Sequence, residues 1–330
     1  MDQSSKKTPT PLPALEMLID GLFDYAGMYP PASLSYEATR AKLSEFQEKA
    51  TRPHLLHAHL VLDIPHLGKL AAEKAAAAPW LVAVLGTPLS LSAPATVRDS
   101  ELSSLTEATL RPSTLRAASY EVRIEPELAN DLERLFEHAS ALNGSLPDNQ
   151  TVLAIEPNLS TPNGRQALEA AAATVHRIHA STPFRCALKI RGAGSAGSGS
   201  TGIDCRQFIH VLRLVTALEI PLKATAGLHH PILEPERYGN VLGFLNLKSA
   251  LMLVAVYGEK ISDSELLKCL SESSPAAYSF ENLFRWRNWE VDLVKISTAQ
   301  KLLPLTIGSC SLEEPESDLV RLFGPARRTE

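Results

Sequence analysis

The sequence predicts an α/β fold in which eight strand–helix units close into a (β/α)8, TIM-type barrel, followed by a C-terminal helical extension. Short apolar runs alternate with longer segments of helical periodicity between residues 19 and 258. Such alternation favours parallel strands, because a crossover must separate two parallel neighbours. A chain of 330 residues is long enough for one barrel and an extension.

Each predicted strand or helix is a segment whose apolar residues recur with the period of that element. The strands are short and apolar, and the helices carry apolar residues on one face. We predict strands over residues 23–28, 56–64, 80–85, 118–124, 151–155, 186–191, 220–225 and 241–247. We predict helices over residues 36–50, 68–78, 126–142, 165–180, 204–218, 248–257 and 262–270.

An open, doubly wound sheet is the alternative arrangement of these units. No Gly-x-Gly-x-x-Gly follows the first strand, which disfavours the dinucleotide-binding form of that fold. We therefore divide the chain into an N-terminal tail (1–18), the barrel (19–258) and a C-terminal extension packed on the barrel (259–330).

The composition excludes several classes of function. The net charge is −5, so no basic surplus predicts nucleic-acid binding. The first residues carry no apolar run of a signal peptide, and the longest apolar stretch is too short to cross a membrane. Four scattered cysteines favour reduced thiols and a cytoplasmic protein. A homo-oligomer is compatible with a barrel of this size.

Charged residues occupy inward positions near the ends of three predicted strands. Side chains alternate along a strand, so the apolar set faces the helices and the other set faces the barrel interior. By this argument Lys189 and Arg191 point inward from the sixth strand, and Lys223, Thr225 and Gly227 do so from the seventh.

Carboxylates are expected beside these cations. The same alternation places Glu156 inward, whereas Asp24 of the first strand shares a parity with Leu22 and Ala26 and could face either side. Catalytic groups of such barrels lie at the C-terminal ends of the strands. A buried lysine costs several kcal/mol unless it is paired, which predicts either a catalytic centre or ion pairs that merely fill a polar interior.

Further candidates follow the last two predicted strands. His229 and His230 lie in the loop after the seventh strand, where they could bind substrate. A metal bound by His229, Glu156 and Asp24 is the alternative role. Gly243 and Asn246 lie where a strand meets a helix, and backbone N–H groups there could bind an anion. Residues 192–202, almost all Gly, Ser and Ala, predict a mobile lid or a flexible crossover.

Three longer motifs resemble those of an uncharacterised family of bacterial proteins. The motifs are DYAGMYPPA (24–32), KATAGLHHP (223–231) and GSCSLEEP (308–315), which together span nearly the whole chain. This resemblance implies no activity.

The segments ALKIRGAG (187–194) and PLKATAGL (221–228) resemble deoxyribose-phosphate aldolase and related class I aldolases. The resemblance implies that Lys189 forms an imine with a carbonyl substrate. It also implies that Lys223 lowers the pKa of Lys189 by like-charge proximity, with Glu156 or Asp24 moving the proton. Arg191 replaces the small polar residue of those enzymes, and a guanidinium there favours a carboxylated or otherwise anionic substrate.

The sequence thus predicts a lyase of the aldolase type that acts on a small anionic carbonyl compound and needs no cofactor. A metal-assisted isomerase or hydrolase is one alternative. A barrel that binds a small anion without catalysis is the other.

Overall fold

The computed structural model describes residues 12–73, 79–88, 95–109, 115–124, 151–159, 164–181, 185–192 and 202–324. Twelve strands are present in these ranges. They are β1 (Phe23–Tyr25), β2 (Leu56–Ala58), β3 (Leu60–Asp63), β4 (Trp80–Leu85), β5 (Leu115–Ile124), β6 (Val152–Pro157), β7 (Arg185–Arg191), β8 (Leu222–Thr225), β9 (Tyr278–Ser279), β10 (Leu283–Trp286), β11 (Trp289–Asp292) and β12 (Leu305–Ser309).

Eleven α-helices alternate with or follow these strands in the same described ranges. They are α1 (Pro13–Ile19), α2 (Tyr36–Lys49), α3 (Ile64–Ala71), α4 (Ala95–Thr109), α5 (Gly164–Ser181), α6 (Cys205–Leu218), α7 (Pro235–Tyr238), α8 (Phe244–Tyr257), α9 (Asp263–Leu270), α10 (Leu293–Leu302) and α11 (Glu313–Phe323). Short 3-10 turns cover Pro53–Leu55, Gly258–Lys260 and Pro275–Ala277.

Nine strands form one parallel sheet in the order β2-β1-β12-β8-β7-β6-β5-β4-β3. Its two outermost members, β2 and β3, are consecutive in the chain and only His59 separates them. The N–H of His59 donates to the carbonyl of Leu81 in β4 at 2.7 Å. The sheet therefore returns on itself as a TIM-type α/β barrel with eight strand positions, and the predicted fold class is confirmed.

The eighth barrel strand is β12, which lies between β8 and β1. Thr306 pairs with Lys223 on one side, and Gly308 pairs with Asp24 on the other. The predicted strand at 241–247 is wrong, because α8 begins at Phe244. Nearly all of α8 is buried, and a short apolar run fits a buried helix as well as a strand. The barrel therefore does not end at residue 258.

The two ends of the chain pack together, which corrects the predicted N-terminal tail. Residues 13–19 form α1, whose Leu15 and Leu18 are fully buried. The N–H of Ala14 donates to the carbonyl of Phe280 at 3.1 Å. The C-terminal segment holds the antiparallel sheet β9–β10–β11 as well as helices, and it supplies the last barrel strand. It is an integral part of the fold rather than an appendage.

Apolar side chains form two separate clusters. The large core lies between the strands and the helix layer, and it contains outward residues such as Leu188 and Ile190 of β7. The small cluster is separate from this core and consists of Ala58, Val61 and Ala83. The alternation of β2 to β4 thus places small apolar residues on the face opposite the main core, which leaves the barrel interior to short or charged side chains.

Some predicted features lie outside the described residues: the start of the tail (1–11), the helix at 126–142 and most of the proposed lid (193–201). Within the described ranges, the search for a helix long and apolar enough to cross a membrane finds none.

Candidate active site

The two predicted lysines meet inside the barrel. β7 and β8 pair so that Lys189 lies directly beside Lys223. Both side chains are more than nine-tenths buried. Their neighbours Leu188 and Leu222 belong to the outer core, as strand alternation requires. The predicted inward orientation of both lysines is confirmed.

Three buried carboxylates neutralise the lysines. The Nζ of Lys189 lies 2.9 Å from Oε2 of Glu121 and 2.7 Å from Oε2 of Glu156. The Nζ of Lys223 lies 2.8 Å from Oε1 of Glu121 and donates to the carboxylate of Asp24. Glu121 of β5 therefore bridges the two lysines, and five strands (β1, β5, β6, β7 and β8) converge on one ionic cluster.

Neighbouring groups fix the ends of this cluster. The ring Nδ1 of His57 lies 2.8 Å from Oδ1 of Asp24, and the N–H of Ala58 donates to the same oxygen at 2.9 Å. Ser119 lies beside Glu121, with an Oγ to Oε1 distance of 3.2 Å. His57 thus binds Asp24 from the side opposite Lys223, and its own side chain is partly exposed.

The electrostatics keep all five groups charged. Burial opposes ionisation of Asp24, Glu121 and Glu156, but the cations outweigh it and hold each pKa below its usual value. Burial likewise opposes the charge on Lys189 and Lys223, and the carboxylates outweigh it and raise the pKa of both lysines. The expectation that Lys223 lowers the pKa of Lys189 is therefore wrong, because Glu121 and Glu156 outweigh burial and the one like charge and raise it.

A cavity of about 830 Å³ opens above the ionic cluster. Its lining includes the predicted residues Lys189, Arg191, Lys223, Thr225, Gly227, His229 and His230, together with Glu121. The lining also includes the less polar residues Ala26, Tyr29, Pro30, Pro31, Val61 and Leu85. The structure thus brings most of the predicted site residues to one enclosed space.

Arg191 lies at the edge of the ionic cluster. Its Nε donates to Oε1 of Glu156 at 3.1 Å, and its side chain is 41 % exposed. Glu156 therefore holds Lys189 with one oxygen and Arg191 with the other. The guanidinium is the most accessible of the cations that line the cavity wall.

The loop after β8 brings a histidine and a thiol together. The Nε2 of His229 lies 3.6 Å from the Sγ of Cys310, and its Nδ1 lies 3.1 Å from the Oγ of Ser309. Burial and the neighbouring His230 lower the pKa of His229 to about 4, and burial raises the pKa of the Cys310 thiol. Both groups are therefore neutral at physiological pH.

Gly243 and Asn246 do not belong to the cavity, so the predicted anion site there is wrong. Asn246 is fully buried, and its Oδ1 accepts the N–H of Leu233 at 2.9 Å. Its Nδ2 donates to the carbonyls of Cys269 and Glu272. The side chain of Asn246 thus holds α8 against its surroundings. The predicted junction of a strand with a helix does not exist here, because Asn246 lies inside a helix.

The metal hypothesis finds no support in the side-chain geometry. Among the described residues, no group of three or more His, Cys, Asp or Glu side chains is placed to hold a metal ion. Glu156 and Asp24 are each committed to lysines, and His229 contacts Cys310 and Ser309. These three residues do not form a common ligand set.

Glu121 is the main residue that the sequence interpretation missed. The alternation in β5 gives Ser119, Glu121 and Arg123 one face and the core residues Tyr120, Val122 and Ile124 the other. The same parity argument that identified Glu156 therefore points to Glu121. The signal is a carboxylate on the strand face opposite the core residues Tyr120, Val122 and Ile124.

A third buried lysine lies outside the barrel. Lys248 of α8 is 3 % exposed and lies among Leu251, Met252 and Leu303. No described residue forms an ion pair with it, and burial lowers its pKa to about 8. Lys248 therefore shows how burial shifts the pKa of a lysine that has no carboxylate partner among the described residues.

No protein-family model matches the chain, and no curated protein matches it either. The two resemblances seen in the sequence therefore remain predictions. What supports a function is the geometry of the barrel interior.

Proposed function

We propose that the protein is a lyase of the aldolase type, in which Lys189 forms an imine with a small anionic carbonyl compound. The observation that carries this proposal is the position of Lys189. Its amine lies on the cavity wall, between two carboxylates at 2.9 and 2.7 Å that can take and return its proton. A polar wall with a primary amine and adjacent proton acceptors is what imine chemistry requires.

The resting ammonium must lose a proton before it can attack a carbonyl carbon. We infer that Glu156 or Glu121 accepts this proton as substrate enters, since both already contact the Nζ of Lys189. The amine then adds to the carbonyl carbon, and the carbonyl oxygen leaves as water after protonation. The iminium withdraws the electron pair of the bond between its α- and β-carbons. An enamine forms on Lys189 as that bond breaks, and the β-carbon leaves as a carbonyl compound after its hydroxyl gives a proton to one of these carboxylates.

Arg191 supports the anionic character of the substrate. It is the most exposed cation on the cavity wall, and its planar guanidinium suits a carboxylate or phosphate. Lys223 keeps Asp24 and Glu121 ionised and so preserves the proton acceptor beside Lys189. We further propose a reducing, cytoplasmic setting, which the four free cysteines support.

Reductive trapping tests the proposal. Purified protein is mixed separately with pyruvate, glyoxylate, dihydroxyacetone phosphate or acetaldehyde, reduced with borohydride and weighed by mass spectrometry. We expect one reduced adduct per chain, with anionic compounds trapped faster than acetaldehyde. Lys189→Arg is the matched control, because it keeps the positive charge between Glu121 and Glu156 but cannot form an imine.

Two outcomes would reject an imine at Lys189. One is an equal adduct in wild type and in Lys189→Arg. The other is the absence of an adduct with every compound while the same anions still raise the melting temperature, which would favour an anion-binding barrel without catalysis. Arg191→Lys should slow trapping of the anions and leave acetaldehyde unchanged.

A further inference from the structure

A histidine and a carboxylate form a pair on the cavity wall that lies apart from the ionic cluster. The Nδ1 of His230 lies 2.8 Å from Oδ2 of Asp318, which belongs to α11 near the C-terminus. Asp318 is 4 % exposed, and the side chain of His230 is 14 % exposed. His230 lines the same cavity as Lys189.

The surroundings hold this histidine in one place. Its ring stacks on the ring of Tyr238, with centroids 3.3 Å apart and planes nearly parallel. Its backbone carbonyl accepts the N–H of Phe244, the first residue of α8, at 2.8 Å. Neither the ring nor the loop that carries it is free to turn.

Asp318 is itself fixed and charged. Tyr238 donates to its Oδ2 at 3.2 Å, and the Nε of Arg321 donates to its Oδ1 at 3.0 Å. Burial opposes its ionisation, but the hydrogen bond with His230 and the guanidinium of Arg321 outweigh it and hold its pKa below the usual value. An ionised carboxylate accepts only, so the hydrogen that it binds must come from the Nδ1 of His230.

This arrangement determines the tautomer. With the proton on Nδ1, the Nε2 of a neutral His230 carries a lone pair, and no described residue forms a hydrogen bond with it. Histidine paired in this way with a buried carboxylate is a common general acid–base group. In the proposed function the carboxylates of the ionic cluster contact the lysine amines and take the proton of Lys189, so a proton on the substrate carbon needs a different acceptor.

We propose that His230 is the group that exchanges a proton with the substrate carbon, and that Asp318 is its positioning residue. The inference rests on the proposed function, since it concerns the carbon beside the imine of Lys189. His230 takes the proton from that carbon onto Nε2, the released C–H electron pair forms a carbon–carbon double bond while the π electrons of the C=N bond move onto nitrogen, and an enamine results. The reverse step returns the proton.

Deuterium exchange measures this step directly. In deuterium oxide, wild-type protein should exchange the methyl hydrogens of pyruvate for deuterium. Proton NMR follows this exchange as the loss of the methyl signal. His230→Gln should slow the exchange about 100-fold or more, and Asp318→Leu about 10-fold or more. Both variants should still trap pyruvate on Lys189. Asp318→Glu should restore part of the rate. Tyr238→Phe, which leaves the His230–Asp318 contact in place, should change it least.

A second measurement reports on the pair without any carbonyl compound. Nitrogen-15 NMR of the histidine rings should place the His230 proton on Nδ1 in wild type and in Asp318→Glu. Asp318→Leu should lose this preference while its other histidine signals keep their positions, which shows that the variant is folded.

The outcomes separate the two proposals. A wild type that traps pyruvate but exchanges equally well after His230→Gln overturns the role of His230. A proton on Nε2 in wild type overturns the positioning role of Asp318. A wild type that neither traps nor exchanges rejects the imine proposal and the catalytic role of His230 together.

Discussion

The barrel interior and the helix layer each bury lysine, with opposite consequences. Lys189 and Lys223 are surrounded by Asp24, Glu121 and Glu156, and their pKa values lie above the usual value. Lys248 is equally buried in α8 without an ion-pair partner among the described residues, and its pKa falls to about 8. Burial alone therefore favours a neutral amine, and carboxylates reverse that preference.

The difference bears on mechanism. A lysine that is merely buried loses its proton more readily than usual, but Lys248 does not line the cavity. The lysine at the cavity is charged at rest, so its activation must come from proton transfer to a contacting carboxylate when substrate arrives. Under our proposal the cluster is thus a store of proton acceptors, rather than a device that lowers the pKa of Lys189.

The largest effect is expected where a buried pair is broken. Lys223→Met leaves Asp24, which is fully buried, without its cation and with only His57 and the Ala58 N–H as partners. We expect the free energy of unfolding to fall by about 3–5 kcal/mol. Urea denaturation measures it, and an unchanged midpoint would mean that the ion pairs contribute nothing to the fold.

The opposite sign is expected at the unpaired lysine. Lys248→Met removes a buried charge and keeps a flexible apolar chain of similar length. We expect the free energy of unfolding at neutral pH to rise by about 3 kcal/mol, the cost that corresponds to the lowered pKa of Lys248. The same urea experiment checks it, and a loss of stability would show that Lys248 has a partner that offsets its burial.

The pH dependence sharpens this comparison. The pKa of Lys248 is lowered on folding, so the unfolded chain binds more protons between about pH 8 and pH 10.5. The destabilising contribution is fully present below this window and disappears as the pH rises through it. The advantage of Lys248→Met should therefore shrink from pH 8 to pH 10.5 in urea titrations at several pH values. A constant advantage would contradict a lowered pKa.

The stability that the ionic cluster contributes should fall in alkali, opposite to the trend at Lys248, and it should also fall in acid. Its lysines have raised pKa values, so their contribution is complete below 10.5 and is lost as the pH rises above it. Its carboxylates have lowered pKa values, so their contribution is complete above about pH 4.5 and is lost as the pH falls. The difference in stability between wild type and Lys223→Met should therefore narrow at both extremes.

A smaller effect is expected for the polar residue that shares α8 with Lys248. Asn246→Ala removes hydrogen bonds to Cys269 and Glu272 and exposes their carbonyls to an apolar space. We expect a loss of about 1–2 kcal/mol with no change in the trapping of pyruvate. Altered trapping of pyruvate would mean that Asn246 does contribute to the active site.

The smallest effect is expected for an exposed ion pair. Lys295 lies 3.0 Å from Asp292, with more than half of its side chain exposed. Lys295→Ala should leave the midpoint of urea unfolding nearly unchanged, because an exposed ion pair contributes little to stability. A larger change would mean that removing any lysine perturbs this protein, and it would weaken the comparison between Lys223 and Lys248.

Much of the fold could be predicted from periodicity, and the exceptions have physical reasons. The first seven barrel strands are recognisable because each apolar run is short and is followed by a helical segment. The eighth was misplaced because the apolar run of α8 is as long as a strand, whereas Leu305–Ser309 is brief and contains glycine and serine. Nothing local reveals that this strand pairs with β1, since that contact is long-range.

The site divides in the same way. Strand alternation sufficed to find Lys189, Lys223, Glu156 and Arg191, because each is charged and lies in an apolar strand. The roles of Glu121 and Asp318 depend on which strand or helix lies beside which. The direction in which each lysine pKa shifts depends on how many carboxylates contact that lysine. This number cannot be read from the sequence.

The most direct test locates the trapped amine. Wild-type protein treated with pyruvate and borohydride at neutral pH is digested, and the modified peptide is sequenced by mass spectrometry. We predict the adduct on Lys189, which lines the cavity with its proton acceptors, and none on Lys248, although its amine is the more readily neutral. An adduct on Lys248 or spread over surface lysines would contradict the account, because reactivity would then follow pKa rather than the cavity.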